Sequence, residues 1–158
     1  MLPDVTLRVV LADTPQLLAE HFRIRREVFI GEQGVTEAEE VDGRDDLPTT
    51  ACVVGLLDHE GSPGTVVAAG RLLDLDHPSV HVGRVAVSSS VRGSGLGREL
   101  MRGLEHLAAQ LTTGELTLVL DAQEYAQGFY ASLGYARTAR ERFQDARIWH
   151  VEMAKRVR

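Results

Sequence analysis

The 158-residue chain has one cysteine, Cys52, so it can form no internal disulfide. That fits a reducing compartment, and the cytoplasm is the expected one. Nor is there any apolar run near the roughly 20 residues that span a bilayer. The opening Met1-Leu2-Pro3-Asp4 lacks the basic-then-apolar order of a leader, so no membrane partner is expected. Basic residues are the minority, 17 Lys and Arg against 23 Asp and Glu, for a formal net charge of −6. General nucleic-acid binding wants a basic face, and none is implied. No repeat, linker or low-complexity tract interrupts the chain. No His, Cys and acid group shows metal-ligand spacing, so no metal is expected. Cys52 itself lies in Ala51-Cys52-Val53-Val54, a setting for a buried structural thiol rather than a nucleophile.

What is present is ordinary globular composition, 44% hydrophobic and 25% charged. A chain of this length buries about two-thirds of its unfolded surface as one domain, expected over residues 1–158. Val5–Val10 reads as a strand. Thr14-Pro15 then offers an N-cap with proline at the first helical position, and the helix runs through His21, Ile24, Arg25, Val28 and Phe29. Residues 31–48 break the pattern with glycines and carry Glu32, Glu37, Glu39, Glu40, Asp42, Asp45 and Asp46 against one Arg44. The runs 51–57 and 65–73 flank a glycine- and proline-rich turn, a hairpin signal. A central strand over 81–87, a helix over 94–111, a strand over 115–120, a short helix over 123–132 and a closing pair over 134–140 and 147–154 complete the reading. Strands alternating with helices imply an α/β fold, a mixed sheet with helices on both faces.

The most informative stretch is Arg92-Gly93-Ser94-Gly95-Leu96-Gly97-Arg98, between Val85-Ala86-Val87 and a helical row of Leu96, Leu100, Leu104, Leu107 and Leu111. Alternate glycines let the backbone turn tightly and let a ligand approach it. Unpaired N–H groups and the positive end of the helix dipole meet at such a turn, which suits a phosphate or diphosphate. Arg92 and Arg98 add cations. A P-loop is excluded because Gly97 is followed by Arg98 and Glu99 rather than Lys-Ser/Thr, and the glycine spacing is wrong for a dinucleotide fingerprint.

Arg92-Gly93-Ser94-Gly95-Leu96-Gly97 resembles Arg/Gln-x-x-Gly-x-Gly/Ala, the diphosphate loop of the GNAT superfamily of acyl-CoA-dependent N-acetyltransferases. A second block, Gln123 through Tyr135, is similar to that superfamily's Asn-x-x-Ala-x-x-Phe-Tyr-x-x-x-Gly-Phe segment, with Gln123 for Asn and Tyr135 for Phe. The run Ile24–Gln33 and the entry Gly83-Arg84-Val85 resemble the small bacterial ElaA-like branch. The resemblance implies a central mixed, mostly antiparallel sheet whose parallel pair, the strands over 81–87 and 115–120, splays apart to admit a thioester. It implies acetyl-CoA as cosubstrate. The backbone of 92–97 would hold the diphosphate, Val85, Ala86 and Val87 would pair through their main chains with pantetheine, and Gln123 would contact that arm. Tyr130 would protonate the departing thiolate, with Phe129 left to the core, Tyr125 to the rim and Tyr135 to packing. Homodimers are common among the proteins it resembles.

Acetyl transfer to an amine also needs a base, because amines arrive protonated at pH 7. Strict alternation sets His81 on the face of Gly83, Val85 and Val87, and a free imidazole titrates near ~6.5. Glu32 and Asp121 are rivals. Arg84 would face the other side and, like Arg26 and Glu27, serve an ion pair. His150 and Glu152 alternate onto one face of the last strand. In the resembled fold the acidic stretch 31–48 would wall the acceptor site and draw a cationic amine; the alternative is a mobile, solvated loop. A binding module that senses acyl-CoA without transferring it would need the same loop, and a nucleotide hydrolase would need magnesium ligands that are not visible. The acceptor stays open among polyamine, aminoglycoside, amino acid and protein amine.

Overall fold

A computed structural model describes residues 6–59 and 62–158. The strands are β1 (Leu7–Leu11), β2 (Ala51–His59), β3 (Ser62–Leu73), β4 (Ser79–Val87), β5 (Thr117–Gln123), β6 (Ala136–Arg137), β7 (Phe143–Asp145) and β8 (Ile148–Arg156). They form one sheet in the order β1-β2-β3-β4-β5-β8-β6, with β7 also on β8. Among the described residues only β4 and β5 run parallel. The α-helices are α1 (Pro15–Arg25), α2 (Glu37–Glu40), α3 (Leu96–Leu111) and α4 (Gln127–Ser132).

Two apolar clusters, one on each face, explain why the sheet is covered on both sides. Leu96, Leu100, Met101, Leu104 and Ala108 of α3 pack on Val80, Val82, Leu118 and Leu120. Each fully buried leucine there contributes about 2–3 kcal/mol over an exposed one. Ile24 and Val28 cover Val54, Leu56, Ala69 and Ala86 on the other face. The close fit of α3 rests on Gly103, where a Cβ would lie 2.4 Å from that of Val9.

Thr14 caps α1 as the sequence implies, its Oγ1 accepting from Leu17 N–H at 3.2 Å. The helix does not run on as α through Phe29. Residues Arg26–Glu32 form a π-helix, closed by the N–H of Gln33 donating to the carbonyl of Val28 at 3.1 Å. The wider turn keeps Val28 in the core while Phe29, Glu32 and Gln33 line the cleft described below. The 31–48 stretch is not featureless: Thr36 and Glu39 make a reciprocal capping box on α2. β7 is also additional to the sequence reading. Two residues joining β7 to β8, Ala146 and Arg147, both have positive φ, and Arg147 is tied to Glu39 through two bonds of 3.1 Å.

Two irregularities shape the site. β4 pairs with β5 only from Ser79–Val82 against Thr117–Leu120, after which the strands part. On its other edge β4 pairs with β3, and the register steps from Arg71↔Gly83 to Ala69↔Ala86. Arg84 and Val85 thus oppose Gly70 alone, a β-bulge, with Arg84 left-handed at φ 51.

Candidate active site

The glycine turn has the geometry that anion binding requires. Gly93 and Gly95 take φ of 84 and 80, and a Cβ at either would meet nothing within 4 Å, so backbone conformation rather than space demands glycine. Gly95 is the N-cap of the 16-residue α3 and no side chain caps the helix, which leaves its first N–H groups to an external acceptor. Arg92 donates from Nε to the Val87 carbonyl at 3.0 Å and pairs through Nη1 with Glu32 at 2.6 Å, tying the turn to the π-helix. Arg98 donates to Ser132 Oγ at 3.2 Å, and Ser94 Oγ to the Val91 carbonyl at 2.6 Å. A Cβ on Gly97 would stand 3.3 Å from the Phe129 ring. Phe129 is therefore a 37% exposed cover for the turn and not the core aromatic its sequence setting suggests.

A cleft of about 1040 Å³ runs along the parted strands and reaches the turn at Arg92, while Gly93–Arg98 are not among its lining residues. Phe29, Glu32 and Gln33 line it from the π-helix, Gly83–Val87 from β4, and Gln123, Tyr125, Ala126 and Tyr130 from the far side. Gln123 and Gln33 exchange side-chain hydrogen bonds of 2.8 and 3.3 Å across it. Tyr125 is 81% exposed at the rim, and Tyr135 is buried with its hydroxyl donating to Glu105 at 3.0 Å. Tyr130 packs edge-on against both Phe129 and Tyr135, and burial pushes its phenol up to about 12.

The bulge changes which residues share a face. Val85 and Val87 pack with the α3 cluster, as Val80 and Val82 do, whereas Ala86 belongs to the α1 side. His81 and Gly83, opposite Leu73 and Arg71, lie on the α1 side too. Strict alternation had put His81 with Val85 and Val87; the extra residue in β4 reverses that parity. Arg84 makes the ion pairs expected of it, at 3.3 Å to Glu40 and 3.4 Å to Asp42, but beside Arg71 and so on the His81 side. Arg26 pairs with Glu37 at 3.4 Å, while Glu27 accepts from the N–H of Ser89.

Three strands bring His81, Asp121 and Glu152 together, their polar atoms all within 4.8 Å. Burial raises the Asp121 carboxyl, against the countervailing charges of His81 and Arg140. Arg140 Nη1 lies 3.3 Å from Glu152 and 3.8 Å from Asp121, supplying the positive charge a metal would bring. Thr138 donates to Glu152 at 2.9 Å. His150 stacks on Phe143 with ring centroids 5.7 Å apart, and its Nδ1 lies 2.7 Å from the Ile148 carbonyl.

Sequence reasoning missed a buried ion network. Arg25 is 0% exposed and holds Glu40 at 2.6 Å and Asp45 at 2.6 Å. Arg71 holds Asp42 at 2.6 Å and Asp45 at 3.1 Å. With Glu32 on Arg92, Glu37 on Arg26 and Glu39 on Arg147, six of the acids of 31–48 are paired, so the stretch is neither a free acidic lure nor an untethered loop. Cys52 lies 3.9 Å from Asp45, and burial raises its thiol to about 11. A clue stood in the sequence: His21 and Arg25 fall on the apolar stripe of α1, where an arginine needs buried partners.

Residues 62–157 match the family model of the acetyltransferase (GNAT) domain. The uncharacterized N-acetyltransferase YjcF of Bacillus subtilis is 33% identical over 149 residues, 94% of this chain and 99% of that protein. A crystal structure of an acyl-CoA N-acyltransferase from Pseudomonas aeruginosa superposes with TM-score 0.78 at 29% identity, covering 96% of this chain and 99% of that one. The chain belongs to the GNAT acetyltransferases, and is an acyl-CoA-dependent N-acetyltransferase. Within them it falls in the ElaA-like branch. ElaA of Escherichia coli is 31% identical over 138 residues, covering 85% of this chain and 84% of ElaA. The crystal structure of E. coli ElaA gives a TM-score of 0.76, with 96% and 99% of the two chains covered.

Proposed function

We propose that the protein moves an acetyl group from acetyl-CoA to a primary amine by direct attack, as one GNAT domain over residues 1–158. The observation that carries this is the uncapped N-terminus of α3 at Gly95, three residues on from Arg92, which lines the cleft where β4 and β5 part. Main-chain N–H groups of residues 92–97, with spare donors of Arg92 and Arg98, would hold the diphosphate. Val85, Ala86 and Val87 would meet the pantetheine arm through their backbones. The end of β4–β5 pairing at Val82 supports this by leaving the β5-facing edge of Gly83–Val87 without a strand partner. The Val87 N–H would polarise the thioester carbonyl, a donor whose loss costs about 2.7–4 kcal/mol in the transition state. Gln123, already paired with Gln33, flanks the arm.

The amine nitrogen attacks the carbonyl carbon, the carbon–sulfur bond breaks, and the sulfur leaves with its electron pair. His81, oriented by Asp121, takes the amine proton. Glu32 is less suited to this because Arg92 already occupies its carboxylate. Tyr130 donates to the departing sulfur. A phenol raised to about 12 stays protonated at neutral pH, so it serves first as a hydrogen-bond donor to developing negative charge. A covalent route through Cys52 is disfavoured by a thiol held near 11 beside Asp45. No metal has a part in this scheme. Among the described residues no helix is long and apolar enough to cross a membrane.

The test is thiol release from acetyl-CoA over a panel of amines. Tyr130→Phe should lower kcat about 10- to 100-fold and leave CoA affinity within about twofold. Weakened CoA binding with undiminished kcat would remove Tyr130 from this role.

A further inference from the structure

The guanidinium cluster beside the cleft adjoins a cation that no ion pair takes up. Arg25, Arg71 and Arg84 share Glu40, Asp42 and Asp45 among them. Arg44 follows at once: its backbone N–H donates to Asp42 Oδ1 at 3.1 Å, its side chain lines the cleft, and it makes no ion pair among the described residues. Arg44 is thus a cleft cation without an ion pair, next to three arginines that share three carboxylates. One donor in the cluster is left over: Nε of Arg71 is buried without a hydrogen-bond partner, with Arg71 only 3% exposed, whereas Nε of Arg84 at least lies 3.3 Å from Glu40. A buried donor without an acceptor is costly, and native structures rarely tolerate it without reason. The Arg84 guanidinium is held below its ordinary value by burial and then by the charges of Arg71 and Arg25. The diphosphate of the cosubstrate does not relieve this, because its turn lies at the other end of β4, beyond Val87.

Gly83 stands opposite Arg71, and His81 stands two residues along the same face of β4, roughly 7 Å away at the rise of a strand. His81 adjoins Asp121. One end of the acceptor wall therefore has cationic donors to spare and the other carries the group suited to an amine. We infer that the acceptor is an amino carboxylate, its carboxylate received by the cluster of Arg44, Arg71 and Arg84 and its amine presented to His81 and Asp121. This rests on the N-acetyl transfer reading above and adds the class of acceptor. A polycation is less favoured because four of the five acids that line the cleft, Glu32, Glu39, Asp42 and Asp121, are paired with arginines, leaving only Asp145 without an ion pair among the described residues.

The experiment measures thiol release from acetyl-CoA with free amino acids, with the same amino acids as carboxamides, and with putrescine and spermidine. Free amino acids should give kcat/KM about 10- to 100-fold above their carboxamides, the worth of one charge-assisted pair. Arg44→Ala, an exposed position, should raise KM for the amino acid and bring the acid-to-amide ratio close to one. Preference for carboxamides or polyamines would overturn the carboxylate site and leave the transferase standing. No turnover with any amine, in protein that still binds acetyl-CoA by calorimetry, would overturn the transfer reading and this inference with it.

Discussion

Single residues divide by how far their partners lie along the chain. Gly93 and Gly95 were legible because each works within a local motif, a turn needing positive φ and a helix N-terminus, whereas Tyr130 was singled out only through the resemblance of its segment. Arg25 was not, since its acids lie 15 and 20 residues on, past a break in periodicity. His81 was chosen for its side-chain chemistry, and although its face was assigned incorrectly it still lines the cleft, from the last paired residues of β4 against β5. If His81 takes the amine proton, His81→Ala should lower kcat/KM about 10²- to 10⁴-fold and abolish the acid limb of its pH profile. Asp121→Asn should cause a smaller loss and move that limb. A profile that keeps its acid limb in His81→Ala and loses it in Asp121→Asn would reassign the base to the carboxylate.

At the scale of elements, period and punctuation gave the strands, α1, α3 and the hairpin, and they failed where the backbone departs from a fixed period. The bulge at Arg84 adds a residue to β4, and the π-helix adds one to a turn; neither has a signal in residue type, because arginine at φ 51 is chosen by its contacts and not by its own preference. Those contacts are visible. Arg84 Nη2 donates to the Glu40 carbonyl at 2.9 Å and reaches the Glu39 carbonyl and Asp42 at 3.4 Å, anchoring the bulge to α2. Backbone strain and side-chain anchor can be separated by two substitutions. Arg84→Ala removes the anchor and keeps the left-handed cost, whereas Arg84→Gly removes both. Urea unfolding should find Arg84→Gly more stable than Arg84→Ala by about 1 kcal/mol, with both below the parent. Equal midpoints for the two variants would mean that the bulge relaxes once the guanidinium is gone.

Across the whole molecule the buried network makes stability depend on pH in two separate windows. Nδ1 of His21 lies 2.9 Å from the Val53 carbonyl and Nε2 lies 3.1 Å from Nη1 of Arg25, so Nδ1 carries the proton and Nε2 must accept. A second proton on Nε2 would face a guanidinium N–H, and burial, the largest influence, with Arg25 lowers the imidazole to about 4. Because this folded value lies below the unfolded ~6.5, the unfolded chain binds the extra proton first. Stability should therefore be unaffected above pH 6.5 and fall between 6.5 and 4, by roughly 3 kcal/mol in all. Asp42 and Asp45 behave differently: their guanidinium partners outweigh burial and hold both carboxyls below the ordinary range. Their contribution is present above pH ~4 and is lost only as the pH falls below it. Chemical denaturation at closely spaced pH should show both declines. His21→Gln, which can keep a donor toward Val53 and an acceptor toward Arg25, should flatten the first and leave the second in place. A decline between pH 6.5 and 4 that persists in His21→Gln would place its origin in another histidine.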